Sequence, residues 1–283
     1  MKIVPLASDS LGTRSMATYV ESENIGILID PAVALSPSRF NLPPHPLELQ
    51  RKEEQLNLIK EKAKQSSIII ITHYHYDHHN PDELSIYQDK ILLIKDLENF
   101  INESQKIRAH YFLEKIKGVP KRIEIADNKE WLMENIKIKF SSPVTHGPKE
   151  YLGYVIQILI SNENENFIFT SDVQGIVNDD QLNFILENNP KILYADGPMT
   201  YMLNYRYRKE DLEISINNIK RIINETDVET IILDHHLTRD ENFKDYLKEI
   251  LNQNKTKILT AAEYLGKENE LLEAKRRELY KKL

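Results

Sequence analysis

His73, His75, Asp77, His78 and His79 occupy five of seven consecutive positions, and they include four of the nine histidines in this 283-residue chain. Neutral imidazole nitrogens and carboxylate oxygens are the donors that zinc, iron(II) and manganese(II) accept. The cluster comes directly after Ile68 to Ile71, an unbroken apolar run that reads as a buried strand. A strand fixes the height and direction of the groups that follow it. In an extended backbone His73 and His75 project to the same side, so two nitrogens can meet one cation. Asp77 and His78 fall on the turn beyond, close enough to serve a second. A solvated, histidine-rich loop is the bland alternative, but three imidazoles at fixed offsets with a carboxylate favour a metal site.

Further acids and imidazoles stand in the same kind of place. His146 follows the strand-like run ending at Phe140 and precedes a glycine. Asp172 follows Phe167 to Thr170, Asp196 follows Ile192 to Ala195, and the adjacent His235 and His236 follow Ile231 to Asp234. Each has a mundane reading alone, since an Asp after a strand commonly caps a turn. Their repeated placement is what points to a shared site.

The elements that position these groups are legible from periodicity. Strands are predicted at Lys2 to Leu6, Arg14 to Val20 and Ile25 to Ile29, the last ending at Asp30. Residues 31 to 46 carry five prolines and read as a long loop that, with His45, is a candidate to cover the site, proline rigidity being the alternative purpose. Helical spacing runs from Leu47 to Lys64, and a short strand from Ile91 to Ile94. A helix is expected from Asp96 to Lys117, stopping at Gly118. Alternating patches follow at Arg122 to Ala126 and Ile136 to Phe140. The second half repeats the rhythm: strands Leu152 to Ile160 and Phe167 to Thr170, helix Asp180 to Glu187, strand Lys191 to Ala195, helix Leu212 to Ile223, strand Thr230 to Leu233 and helix Phe243 to Leu251. The segment Ala261 to Leu283 reads as an amphipathic helix packed on the body. One domain over residues 1–283 is expected, in two similar halves of about 1–130 and 131–283, as a sandwich of two sheets with helices outside each.

Bulk properties exclude several classes. Hydrophobic residues at 41% and charged residues at 29% suit a soluble globular protein. A net charge of −7 argues against a broad electrostatic grip on nucleic acid or anionic membrane. There is no cysteine, so disulfides, thiol nucleophiles and cysteine ligands are ruled out. No apolar run approaches the roughly 18 residues of a membrane span, and the first residues lack a secretory signal. A cytoplasmic location is expected.

The order and spacing resemble the metallo-β-lactamase superfamily, whose signature Thr-His-x-His-x-Asp-His stands here as Thr72 to His78. The resemblance covers essentially the whole chain, with Asp30, His146, Asp172 and His235 in the expected order. More narrowly, Val4 to Gly12, the doubled Asp-His-His at Asp77 and Asp234, and Ala-Asp-Gly-Pro at Asp196 are similar to a poorly characterised archaeal family of predicted metal-dependent hydrolases. The resemblance implies an α/β protein with a four-layer αββα sandwich and a two-metal site. His73, His75 and His146 would hold the first cation, Asp77, His78 and His235 the second, with Asp172 bridging and His236 the fallback for His235. Asp30 would support the site from behind; His79 would support it or face substrate. Two divalent ions are implied, zinc foremost and manganese or iron as alternatives.

A hydroxide shared between two cations would attack, with Asp77 orienting it, so an ester-type or phosphodiester bond is the expected target. The expected substrate is a small or medium anion. A ribonuclease of the RNA-processing branch and a non-catalytic metal-binding scaffold are the alternatives. Lys106, Arg108 and His110 on one helix are candidates to clamp a phosphate, and the aromatic–basic stretch Tyr201 to Arg208 is a candidate stacking surface. No membrane partner is expected. Substrate, metal identity and oligomeric state stay open at this point.

Overall fold

Short apolar runs such as Ile68–Ile71 and Ile91–Ile94 supply the central strands, because such side chains fit a pleated surface buried on both faces. In the computed structural model, which describes residues 1–251 and 255–282, the first sheet holds β1 (Lys2–Pro5), β2 (Thr18–Ser22), β3 (Ile25–Ile29), β4 (Ile68–Ile71), β5 (Ile91–Ile94) and β6 (Arg122–Ile125), in that order. β1 to β3 are antiparallel and β3 to β6 parallel. Next come β7 (Glu130–Met133), β8 (Ile136–Phe140), and a separate ribbon of β9 (Val144–Thr145) and β10 (Tyr154–Val155). With β11 (Ile158–Ser161), β12 (Asn166–Phe169), β13 (Ile192–Asp196), β14 (Thr230–Asp234) and β15 (Lys257–Leu259), the second sheet has the order β15-β14-β13-β12-β11-β8-β7. β12 to β15 run parallel.

The two sheets bury their facing sides against each other, Ile27, Ile70 and Leu93 meeting Ile138, Ile160, Phe167 and Phe169. Outside the first sheet lie α1 (Pro46–Gln65) and α2 (Glu103–Lys115), through Ile59, Ala63, Ala109 and Phe112. Outside the second lie α3 (Asp179–Asn188) and α4 (Lys209–Glu225), through Leu182, Ile185, Ile219 and Ile222. The expected αββα sandwich is therefore the architecture found. No described helix is long and apolar enough to cross a membrane.

Local expectations failed where side chains compete with the backbone. The helix expected from Asp96 starts at Glu103: Asp96 Oδ1 accepts from the Glu98 and Asn99 amides at 2.7 and 3.2 Å and makes a turn, and Asn102 then caps α2. The strand expected from Arg14 starts at Thr18, and the one expected over Leu152 to Ile160 is split between β10 and β11. The helix expected over Phe243 to Leu251 is two single turns, α5 (Phe243–Tyr246) and α6 (Lys248–Leu251). At the C-terminus only α7 (Ala261–Tyr264) and α8 (Arg276–Tyr280) form, and Leu283 lies outside the described residues. Between them the chain bends to pack on the body, the Glu270 amide donating to Ser10 O at 2.9 Å. Tertiary contacts outweigh helical propensity there. His45 does not cover the site: its Nδ1 accepts from the Leu47 amide and caps α1.

Candidate metal centre

The carboxyl ends of the parallel strands of both sheets open onto one crevice, the usual place for ligands in such sheets. Asp30 follows β3, Thr72 and His73 follow β4, Asp172 lies just beyond β12, Asp196 ends β13 and His235 follows β14. His146 follows the ribbon strand β9. Three non-glycine residues here lie in the left-handed region: Asp30 (φ 48°), Ser171 (φ 58°) and His235 (φ 59°). Each costs on the order of 1–3 kcal/mol, which the surrounding packing must overcome to keep the donors aimed inward.

The donors form two groups around Asp172. His73, His75, His146 and Asp172 each bring one donor atom within 4.8 Å of the others, and so do Asp77, His78 and His235. His73 Nε2 is 3.1 Å from His75 Nδ1. Asp172 Oδ2 faces the first group, 3.1 Å from His146 Nε2 and 3.6 Å from His73 Nε2. Asp172 Oδ1 faces the second, 3.0 Å from His78 Nε2 and 3.3 Å from His235 Nε2. Asp77 Oδ2 stands 3.8 Å from His235 Nε2. Tyr74, between the first two histidines, turns the opposite way into the core and donates its hydroxyl to Lys95 O.

A ring of oxygen acceptors orients these imidazoles. His78 Nδ1 donates to Asp30 Oδ2 at 2.8 Å, leaving Nε2 unpartnered, and His235 Nδ1 donates to Asp9 Oδ2 at 2.8 Å, with Arg239 Nη2 3.2 Å from its Nε2. His73 Nδ1 lies 3.1 Å from the Thr72 hydroxyl and 3.3 Å from the Ser171 hydroxyl. His236 Nδ1 likewise sits on Asp196 at 2.9–3.0 Å; His235 is the one grouped with Asp77 and His78, while His235 and His236 together also group with Asp172. Asp234 organises the loop, accepting from the amides of Ser10, His235 and Ala261 and from the Thr238 hydroxyl.

The arrangement fits a cation and fits its absence poorly. His78 Nε2 and Asp172 Oδ1 are buried 3.0 Å apart, yet neither makes an aligned hydrogen bond among the described residues. Asp30, Asp172, Asp196 and Asp234 are all at most 1% exposed. Buried carboxylates need partners or metal. Burial pushes the His73 imidazole well below its ordinary range and takes His75 down to about 3, so both present lone pairs at neutral pH. Burial also opposes charge on His78 and His235, but Asp172 and Asp30 outweigh it at His78, and Asp172 and Asp9 hold His235 up at about 10. Burial raises Asp196 to about 7.

This sets a pH dependence for the metal-free protein. A histidine raised above its unfolded value of about 6.5 contributes stability that is complete below that pH and disappears as pH climbs through the folded value. Protein stripped of metal by a chelator should therefore melt at progressively lower temperature as pH rises above about 6.5, the His235 contribution being lost by about pH 10. His235→Gln should flatten that slope in a calorimetric series; an unchanged slope would remove His235 as its source.

Residues 12–79 match the metallo-beta-lactamase superfamily. A UPF0282 protein of Korarchaeum cryptofilum (strain OPF8) is 48% identical over 284 residues, covering 99% of this chain and 94% of that one. The chain belongs to the UPF0282 family. Among solved structures it is similar to a possible metal-dependent hydrolase from Veillonella parvula DSM 2008, with TM-score 0.58, 12% identity, and 87% and 94% of the two chains covered. It is also similar to the isothiocyanate hydrolase from Delia radicum gut bacteria, with TM-score 0.56, 15% identity, and 91% and 95% covered. At such identities the likeness is one of fold.

In this UPF0282 chain the other candidates from the sequence divide. His79 is not with the donors; its Nδ1 donates to His75 O at 2.9 Å and it stacks on Tyr76. His110 is away from the site, pairing with Glu98 at 3.0 Å on an exposed helix face, as does Lys106. Arg108 lies over the Tyr76 ring, 5.1 Å from its centroid. The stretch from Tyr201 is partly a packed loop, with Tyr207 buried and donating to Gln174 O and Arg208 paired with Asp211.

Two contributors went unnoticed in the sequence. Asp9 holds His235 and also accepts from Arg239 Nε at 2.8 Å, and Arg239 Nη2 reaches to 3.8 Å of Asp77 Oδ2. Asp9 lies just after β1, as Asp30 lies after β3, and Arg239 is four residues beyond His235; those positions were the available signals.

Proposed function

We propose that this protein is a metal-dependent hydrolase that holds two divalent cations, zinc foremost and manganese or iron as alternatives, and cleaves an ester-type or phosphodiester bond of a small or medium anionic substrate. The observation that carries this reading is Asp172, whose two oxygens face two separate groups of imidazoles. Fold likeness alone would not suffice, since one fold serves many chemistries. Two divalent cations held there would supply an acidified water as nucleophile and a clamp for developing oxyanion charge.

The chain's own groups then have separate tasks. His73, His75 and His146 would hold one cation and Asp77, His78 and His235 the other, with Asp172 shared between them. Asp77, its side chain still 17% exposed, can accept a hydrogen bond from the attacking water and so orient it. Asp9, Asp30 and Asp196 fix the rings of His235, His78 and His236 through their Nδ1 atoms. Arg239 balances the charge of Asp9 and stands beside Asp77. No serine or cysteine nucleophile is required.

Elemental analysis of purified protein, followed by turnover of 4-nitrophenyl acetate and bis(4-nitrophenyl) phosphate with each metal restored, tests the reading. It predicts bound divalent metal and metal-dependent hydrolysis of at least one probe. Turnover that persists in metal-free protein would sink it. The supporting acids give a graded expectation: Asp9→Asn should weaken the second cation by about 10- to 100-fold, with the first unaffected. Competition with a chelating dye would read the two affinities separately, and equal losses at both sites would contradict the assignment.

A further inference from the structure

Beside the signature turn lies a cavity of about 710 Å³, walled by that turn, the residues after Asp30, and the facing flanks of α1 and α2. It is of a size that takes a small molecule. None of the seven metal-ligand candidates lines it, yet Tyr76 does, and Tyr76 stands between His75 and Asp77 in the chain. Tyr76 is thus bonded in the chain to one ligand candidate of each cation group. His79, on the same wall, is tied back to His75 by its Nδ1 hydrogen bond.

Two features of the lining point to one kind of occupant. Leu56 and Ile107 supply apolar surface, and Ile107 is left 61% exposed at the rim. Lys52 and Arg108 supply two cations that have no ion-pair partner among the described residues. On the same wall Glu83 is taken by Lys60 at 2.9 Å, leaving Asp82 against the two cations in a chain of net charge −7.

We infer that this cavity is the subsite for the non-reacting arm of the substrate, an organic carboxylate or phosphate with an aliphatic or aromatic body. The anion pairs with Arg108 and Lys52, and the body lies on Leu56 and Ile107. The assignment as a substrate subsite rests on the hydrolase reading, whereas binding in the cavity is measurable without metal.

The probe is 1-anilinonaphthalene-8-sulfonate, an aromatic anion, titrated by fluorescence into the metal-free full chain. Wild type should bind one equivalent saturably. Arg108→Glu and Ile107→Glu, both at the accessible rim, should each weaken binding about tenfold or more, a shift typical of losing a charge-assisted contact or an apolar wall. Leu132→Glu, on the exposed edge strand β7, should bind as wild type does. Unchanged binding in both rim variants, or equal loss in Leu132→Glu, overturns the cavity assignment. With metal restored, the probe should raise KM for bis(4-nitrophenyl) phosphate and leave kcat alone; a fall in kcat at constant KM overturns the subsite role. A lack of all turnover bears on the hydrolase reading only, and loss of rim dependence bears on the cavity only.

Discussion

Asp172→Asn is expected to lower hydrolysis by about 10³-fold or more and to reduce bound metal from two ions per chain to one or none. Asn preserves the shape of the side chain but removes the charge and replaces one of the two oxygens by an NH₂ donor. Asp172 is 1% exposed and its two oxygens face opposite ways, Oδ2 toward His146 and His73, Oδ1 toward His78 and His235. An amide nitrogen on either side would turn protons toward imidazole nitrogens that must present lone pairs. The fold should survive, because the ring contacts with Asp9, Asp30 and Asp196 are untouched. Circular dichroism would establish the fold, and metal content and kcat the defect. A variant with full metal and near-normal kcat would refute the bridging role.

Arg276→Met is expected to be the most destabilising single change outside the site, by about 3–5 kcal/mol, because it leaves a buried carboxylate unpaired. Arg276 and Glu48 have side chains with no exposed surface and make a two-pronged pair, Nε to Oε2 and Nη2 to Oε1, both at 2.7 Å. Arg276 Nη1 also donates to Leu42 O at 3.0 Å and Nη2 to Ser36 O at 3.1 Å. One guanidinium therefore ties α8 to the first turn of α1 and to the proline loop. Glu48 in turn accepts from the His45 amide at 2.9 Å, completing the cap of α1. Replacing both charges, Glu48→Met with Arg276→Met, should recover part of the loss, since it removes the unpaired charge as well. Urea unfolding midpoints measure both variants. A single variant within about 1 kcal/mol of wild type would show the pair to be expendable.

The parts of this protein that were legible in the sequence share one physical cause. Strands buried on both faces have to be continuous apolar runs, so Ile68 to Ile71 or Ile231 to Leu233 stand out, and the polar groups that follow them are conspicuous by position. Asp30, His73, Asp172, Asp196 and His235 all announced themselves in this way. Asp9 obeys the same rule after β1 and was passed over because its partner His235 is 226 residues distant, a separation that local reasoning does not span. Arg239 follows no apolar run and carries no such positional signal, yet it is 4% exposed. His110 and Arg108 show the converse: two neighbours on one helix, where spacing alone could not say that one meets Glu98 and the other Tyr76. The C-terminal segment misled for a related reason. Its charges read as the solvated face of a helix, but Glu273 pairs with Arg14 and Arg276 with Glu48, so those charges are spent on tertiary contacts.

The central claim is that seven side chains from both halves of the sandwich hold a pair of cations on either side of Asp172. Anomalous diffraction from crystals of the metal-loaded protein, recorded at the absorption edge of the bound element, tests it most directly. The account predicts two peaks about 3.5–4 Å apart, one against His73, His75 and His146 and the other against Asp77, His78 and His235. A lone peak, or peaks remote from Asp172, would contradict it.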